Sequence, residues 1–123
     1  IKNMKRAILD TSFILSSIRN KIDFFDELEG TKFIIPKKVM EEIERKDKTG
    51  LALQIIKKHK ITIKDLGNNH ADKQIIKYAK EHPKILVATL DREIKKAVKI
   101  FKLNITYLFT EKFKNSYSRK EAC

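Results

Sequence analysis

Cysteine is almost absent from this chain. The single one, Cys123, leaves no partner for a disulfide within the chain and no Cys/His spacing for zinc. Long apolar runs are missing as well: the most apolar stretch, Ile85-Leu-Val-Ala-Thr-Leu90, is far too short to cross a bilayer, and no signal-peptide pattern precedes the first apolar run. A soluble, cytoplasmic protein is the expectation, with no membrane partner. Internal repeats and low-complexity linkers are also lacking, so a chain of 123 residues is expected to fold as one domain around one core. Negative charge is scarce: 16 Asp and Glu stand against 28 Lys and Arg, a net charge of +12. That excess exceeds what solubility requires and points to a polyanionic partner. The lysines are spread along the whole chain and not gathered on one amphipathic helix, which favours nucleic acid over a membrane surface. The competing explanation is a Lys-rich solvated surface of the kind found in heat-adapted proteins.

Apolar segments alternate between two periods. Residues 5–9 form a short apolar run ending at Asp10, and the segment from Thr11 to Ile18 opens a helix directly after it. A second amphipathic stretch, 22–28, stops at Gly30; residues 32–35 read as a buried strand closed by Pro36, which suits the first turn of the following helix. That helix carries Val39, Met40 and Ile43, pauses near residues 48–50, and resumes with Leu51, Leu53, Ile55 and Ile56. Residues 61–63 are a third strand. Asn68 and Asn69 are expected to cap a helix with apolar positions Ala71, Ile75, Ile76 and Ala79, ended by Pro83. Residues 85–88, 92–101 and 104–109 read as a fourth strand, a last helix and a fifth strand. This order implies right-handed crossovers and a three-layer α/β/α sandwich on a central parallel five-stranded sheet. The domain is placed at 4–109 and a basic, poorly ordered tail at 110–123; Met4 reads as the natural start, so residues 1–3 carry no part of the expected fold.

The acids carry the chemistry. In open parallel sheets, ligands collect at the carboxyl ends of strands where the strand order reverses. Asp10 ends the first strand and Asp91 follows the fourth, although each also precedes a helix and has an ordinary reading as an N-cap. Asp72 falls on the wheel within the arc of Ala71, Ile75, Ile76 and Ala79, where an ionised carboxylate needs a partner; completing a capping box with Asn69 is the alternative. On the second helix Glu41 points away from the core face, whereas Glu42 flanks it and can bend over the sheet end. Pairing with Lys38 or Lys46 is the ordinary role for Glu42. Three Asp and one Glu at strand ends and helix starts, with no His or Cys among them, are hard oxygen donors suited to Mg²⁺ or Mn²⁺. Such ions activate water and stabilise the charge that develops on a phosphodiester.

Four segments together resemble the PIN-domain nuclease family, which includes VapC-type toxins and ribosomal-RNA processing endonucleases. They are Ile8-Leu-Asp-Thr-Ser-Phe-Ile14, Ile34-Ile-Pro-Lys-Lys-Val-Met-Glu-Glu-Ile43, Ala71-Asp-Lys-Gln-Ile-Ile76 and Val87-Ala-Thr-Leu-Asp-Arg-Glu-Ile94. The resemblance runs from Lys5 to about Leu108 and lies in order and spacing, since no one segment is specific. It implies that Asp10, Glu42, Asp72 and Asp91 hold the metal, Mg²⁺ or Mn²⁺, and are catalytic. It implies too that Ser12 and Thr89 support them from behind. The implied activity is metal-dependent endoribonuclease, in rRNA processing or as the toxin of a toxin–antitoxin pair. The implied partners are single-stranded RNA or structured rRNA and an antitoxin or ribosome-assembly protein, with a homodimer left open. Two positions depart from the family pattern: Lys73 stands where many relatives have a second acid, and Leu90 where many have Asn.

Other Asp- and Mg²⁺-using folds fit less well. A phosphoryl-transfer receiver domain needs paired acids at the first strand end, and Asp10 is unpaired; a haloacid-dehalogenase-type phosphatase needs Asp-x-Asp, and Asp10-Thr-Ser12 lacks it. The serious alternative is a PIN-like module that holds RNA or protein and cuts nothing. His59, His70 and His82 read as helix-end residues, with His70 near enough to Asp72 to approach the pocket, and Tyr78 and Phe101 read as packing residues.

Overall fold

A computed structural model describes residues 5–21, 30–59 and 61–105. The order is β1 (Lys5–Leu9), α1 (Thr11–Arg19), β2 (Thr31–Pro36), α2 (Lys37–Lys46), α3 (Leu51–Lys58), β3 (Thr62–Lys64), α4 (Ala71–Glu81), β4 (Leu86–Ala88) and α5 (Arg92–Ile100). All strand pairs are parallel, in the spatial order β3-β2-β1-β4. The central strands read as near-continuous apolar runs because both faces of a parallel sheet are covered. Ala7, Ile8 and Leu9 of β1 and Ile35 and Val87 of its neighbours are fully buried.

Chain direction assigns the helices to faces. From β1 through α1 to β2, and from β2 through α2 and α3 to β3, the chain steps the same way across the sheet. Right-handed crossovers therefore put α1, α2 and α3 on one face, where they pack together. From β3 it returns past β2 and β1 to reach β4, so α4 lies on the opposite face, in contact with α5. The result is an α/β fold with a parallel sheet flanked by helices. Four strands are present among the described residues where five were expected. Where the fifth was placed, Ile105 makes a single parallel bridge to Val87, and Val87 N–H donates to the Asn104 carbonyl at 3.2 Å. Residues 106–109, the stretch 22–28 and the tail 110–123 lie outside the described residues.

The pause between α2 and α3 has a local cause. Gly50 sits at the N-cap of α3 with φ of 76°, a left-handed conformation that suits glycine. The cap itself is remote: Asp47 accepts from the Ala52 N–H at 2.8 Å with one oxygen and from the Thr49 N–H and hydroxyl with the other. Those donors hold the Asp47 carboxyl below its ordinary value, the Thr49 hydroxyl contributing most. At the start of α4 the expected Asn69 cap is not formed. His70 takes the N-cap position without a side-chain bond, and the buried Gln74 braces the turn from inside by donating to the Gly67 and Asn69 carbonyls, both at 2.9 Å. Phe101 also departs from expectation. It follows the last turn of α5, half exposed, with the Lys80 ammonium 3.5 Å from its ring centre.

Candidate metal centre

The sheet order reverses between β1 and β4, and at the carboxyl ends of those two strands stands Asp10, the one buried acid among the described residues. The register pairs Leu9 with Ala88, and the Asp10 N–H donates to the Ala88 carbonyl at 3.1 Å. Asp10 therefore lies beside Thr89, and is only 7% exposed. The Ser12 and Thr89 hydroxyls both donate to Asp10 Oδ2 at 2.8 Å. With each hydroxyl proton committed to Asp10, the hydroxyl oxygens act as acceptors for the turn that follows β4: Leu90 N–H donates to Ser12 Oγ at 3.2 Å and Asp91 N–H to Thr89 Oγ1 at 3.0 Å. Two strand ends and two helix starts are thus tied to a single carboxylate oxygen.

Burial pushes the Asp10 carboxyl above its ordinary value of 3.8, outweighing the hydrogen bonds from Ser12, Thr89 and the Thr11 backbone; the nearby Asp91 charge pushes in the same direction by less. No lysine or arginine pairs with Asp10 among the described residues.

Asp10 opens onto a cleft of about 420 Å³ that Glu42, Asp72 and Asp91 also line. The structure places all four acids around one space, but they are not clustered: among the described residues no three Asp, Glu, His or Cys stand close enough to hold a metal ion as they are. The three outer acids have taken other partners. Asp91 caps α5, accepting from the Glu93 N–H at 2.8 Å; Glu42, half-buried, faces Lys46 at 3.8 Å; Asp72 accepts from the Lys73 N–H at 2.8 Å. Acids at helix starts and on helix faces find local partners of this kind.

Asp72 corrects the helix-wheel reading, since it is exposed and not within the apolar arc. The buried face of α4 is Ala71, Gln74, Ile75, Tyr78 and Ala79; Ile76 is only half-buried and had drawn the expected arc toward Asp72. Asp72 lies at the flank of that face, where it reaches the cleft. Five lining residues were not assigned to the site from sequence: Thr11, Leu15, Lys46, Ala71 and Lys73. Lys46 carried a signal, its i+4 spacing from Glu42; Thr11 carried none beyond its place beside Asp10. His70, noted for its nearness to Asp72, lines the cleft as well.

A family model described as a PIN like domain matches residues 7–110. The chain belongs to the PIN-like domain family. The match takes in every residue that lines the cleft. Ribonuclease VapC4 of Methanocaldococcus jannaschii is 37% identical over 108 residues, spanning 75% of this chain and 81% of that protein. Among solved structures, that of the PIN domain endonuclease Utp24 superposes with a TM-score of 0.68 at 29% identity, covering 76% of this chain and 77% of that one. The family named from four short segments is thus the one the whole domain matches, and the parallel sheet flanked by helices is shared with the Utp24 structure. No helix among the described residues is long and apolar enough to cross a membrane.

Proposed function

We propose that the chain is a metal-dependent endoribonuclease working in the cytoplasm, with Asp10, Glu42, Asp72 and Asp91 as the ligands of Mg²⁺ or Mn²⁺. One observation carries the reading: a buried carboxylate with no cationic partner among the described residues, at the sheet's switch point, sharing a cleft with three further carboxylates in a chain of net charge +12. An ionised acid taken out of water needs compensating charge, and a divalent ion supplies it. The donor set fits that ion, being all carboxylate oxygen. Relatives named as a ribonuclease and an endonuclease support the same chemistry.

A bound Mg²⁺ or Mn²⁺ supplies Lewis acidity and a water of lowered pKa for attack on phosphorus. The chain's own residues do the rest. Ser12 and Thr89 fix the Asp10 carboxylate in one orientation toward the cleft. Asp91, Glu42 and Asp72 are more accessible and swing in from their local partners. Lys46 and Lys73 line the same cleft and attract the RNA backbone. Structured rRNA or single-stranded RNA is the proposed substrate, with an antitoxin or a ribosome-assembly protein as the companion protein.

Two measurements test this reading. Cleavage of a labelled single-stranded RNA should stop in EDTA and return with Mg²⁺ or Mn²⁺, and RNA affinity should fall steeply with salt. Wild-type protein that cuts no RNA with either ion would leave the binding module as the correct description. Thr89→Val, which keeps the shape but removes both the donor to Asp10 and the acceptor for the Asp91 N–H, should lower the single-turnover rate by about 10- to 100-fold with RNA binding unchanged.

A further inference from the structure

Resting on the metal-centre reading, we infer that Lys46 serves the cleft twice, neutralising Glu42 in the metal-free protein and holding an RNA phosphate once Glu42 turns to a divalent ion. Lys46 and Glu42 form the one lysine–carboxylate pair among the described residues, although the chain has 28 basic side chains. Both of its residues line the cleft that Asp10, Asp72 and Asp91 share. The pair is weak: the separation is 3.8 Å, and the side chains are 60% and 30% exposed. Contacts of this kind are worth little against solvent and are readily exchanged.

Position gives the pair its consequence. Glu42 and Lys46 are one turn apart on α2, the lysine in the last turn. An ammonium on a long flexible stem has three donors and no fixed geometry, so it moves to whichever anion is nearer. With Glu42 free, that anion is Glu42. With Glu42 committed to a divalent ion, the carboxylate's charge is spent, and the phosphate of a docked polyanion becomes the stronger attractor for Lys46. The ion and Lys46 therefore compete for Glu42, whereas the ion and RNA cooperate through Lys46. Metal loading and RNA binding are linked in this cleft by one side chain.

The linkage gives opposite signs for two affinities of one variant. In Lys46→Met, Mn²⁺ titrated alone, with free ion followed by electron paramagnetic resonance, should bind about three- to fivefold tighter, because a competing positive charge has gone. The same variant should bind a non-cleavable RNA oligonucleotide about threefold more weakly in Ca²⁺, with a salt slope lower by about one. In EDTA the RNA affinities of variant and wild type should lie closer together. Lys46→Arg keeps the charge and should restore both values. The side chain is 60% exposed at the end of a helix, so folding is not at risk. Unchanged or weaker Mn²⁺ binding in Lys46→Met overturns the inference alone. A wild-type protein that binds no Mn²⁺ overturns the metal-centre reading and the inference together.

Discussion

Asp10→Asn is expected to lower metal-dependent RNA cleavage by about 10³-fold, equivalent to about 4 kcal/mol of transition-state stabilisation, while RNA affinity stays within about twofold of wild type. The substitution is nearly isosteric, and an amide oxygen in place of Oδ2 still accepts from Ser12 and Thr89 at their 2.8 Å separations. What disappears is the charge. The variant also reports on that charge without RNA. In the unfolded chain the Asp10 carboxyl titrates near its ordinary 3.8, and in the fold burial moves it up. A group raised in this way contributes its stability fully below 3.8 and loses it as pH rises through the folded value. Urea unfolding in EDTA should thus show wild type losing stability relative to Asp10→Asn as pH climbs through that window, with the gap constant above it. Saturating Mn²⁺ should then stabilise wild type and leave the variant where it was. Cleavage that survives in Asp10→Asn would remove Asp10 from the catalytic assignment.

Ile8→Ala should cost about 2–5 kcal/mol, against a total stability of about 5–15 kcal/mol for a domain of this size. Ile8 is fully buried in the central strand and pairs with Ile34 on one side and Val87 on the other. Truncation there loses apolar burial and leaves a void that flanking strands, held by ladders on both sides, cannot close. Ile63→Ala is the matched control: it lies on the edge strand β3 and is 48% exposed, so about 1 kcal/mol or less is expected. Equal midpoints for the two variants in urea would mean that β1 is not the centre of the core.

Much of this architecture was legible in the sequence because parallel strands buried on both faces leave runs that need no long-range information. The segments ending at Asp10, Pro36 and Ala88 are of that kind, and each is a strand in the structure. The Asp10 environment came from the family resemblance and not from periodicity: it named Ser12 and Thr89, and parallel register is what brings both hydroxyls to Asp10. Reasoning failed where a single side chain tipped an average. Ile76 shifted the apparent face of α4 and so misplaced Asp72, and Asn69 looked like a cap although Gln74, an interior amide, holds that turn. Cleft residues such as Lys46 were missed because their role depends on which helix leans over the sheet end, and composition does not encode that.

The bond from Thr89 to Asp10 spans 79 residues of chain. During synthesis Asp10 is made early, yet its oxygen gains its second hydroxyl only when β4 has been translated and has docked beside β1. Until then the early acid stands beside α1 without the turn that also delivers Asp91, and closing so long a loop is slow. A chain still emerging from the ribosome, with RNA all around it, therefore lacks the assembled cleft that we propose cuts RNA. Connectivity alone delays the assembly of that cleft until β4 has docked beside β1.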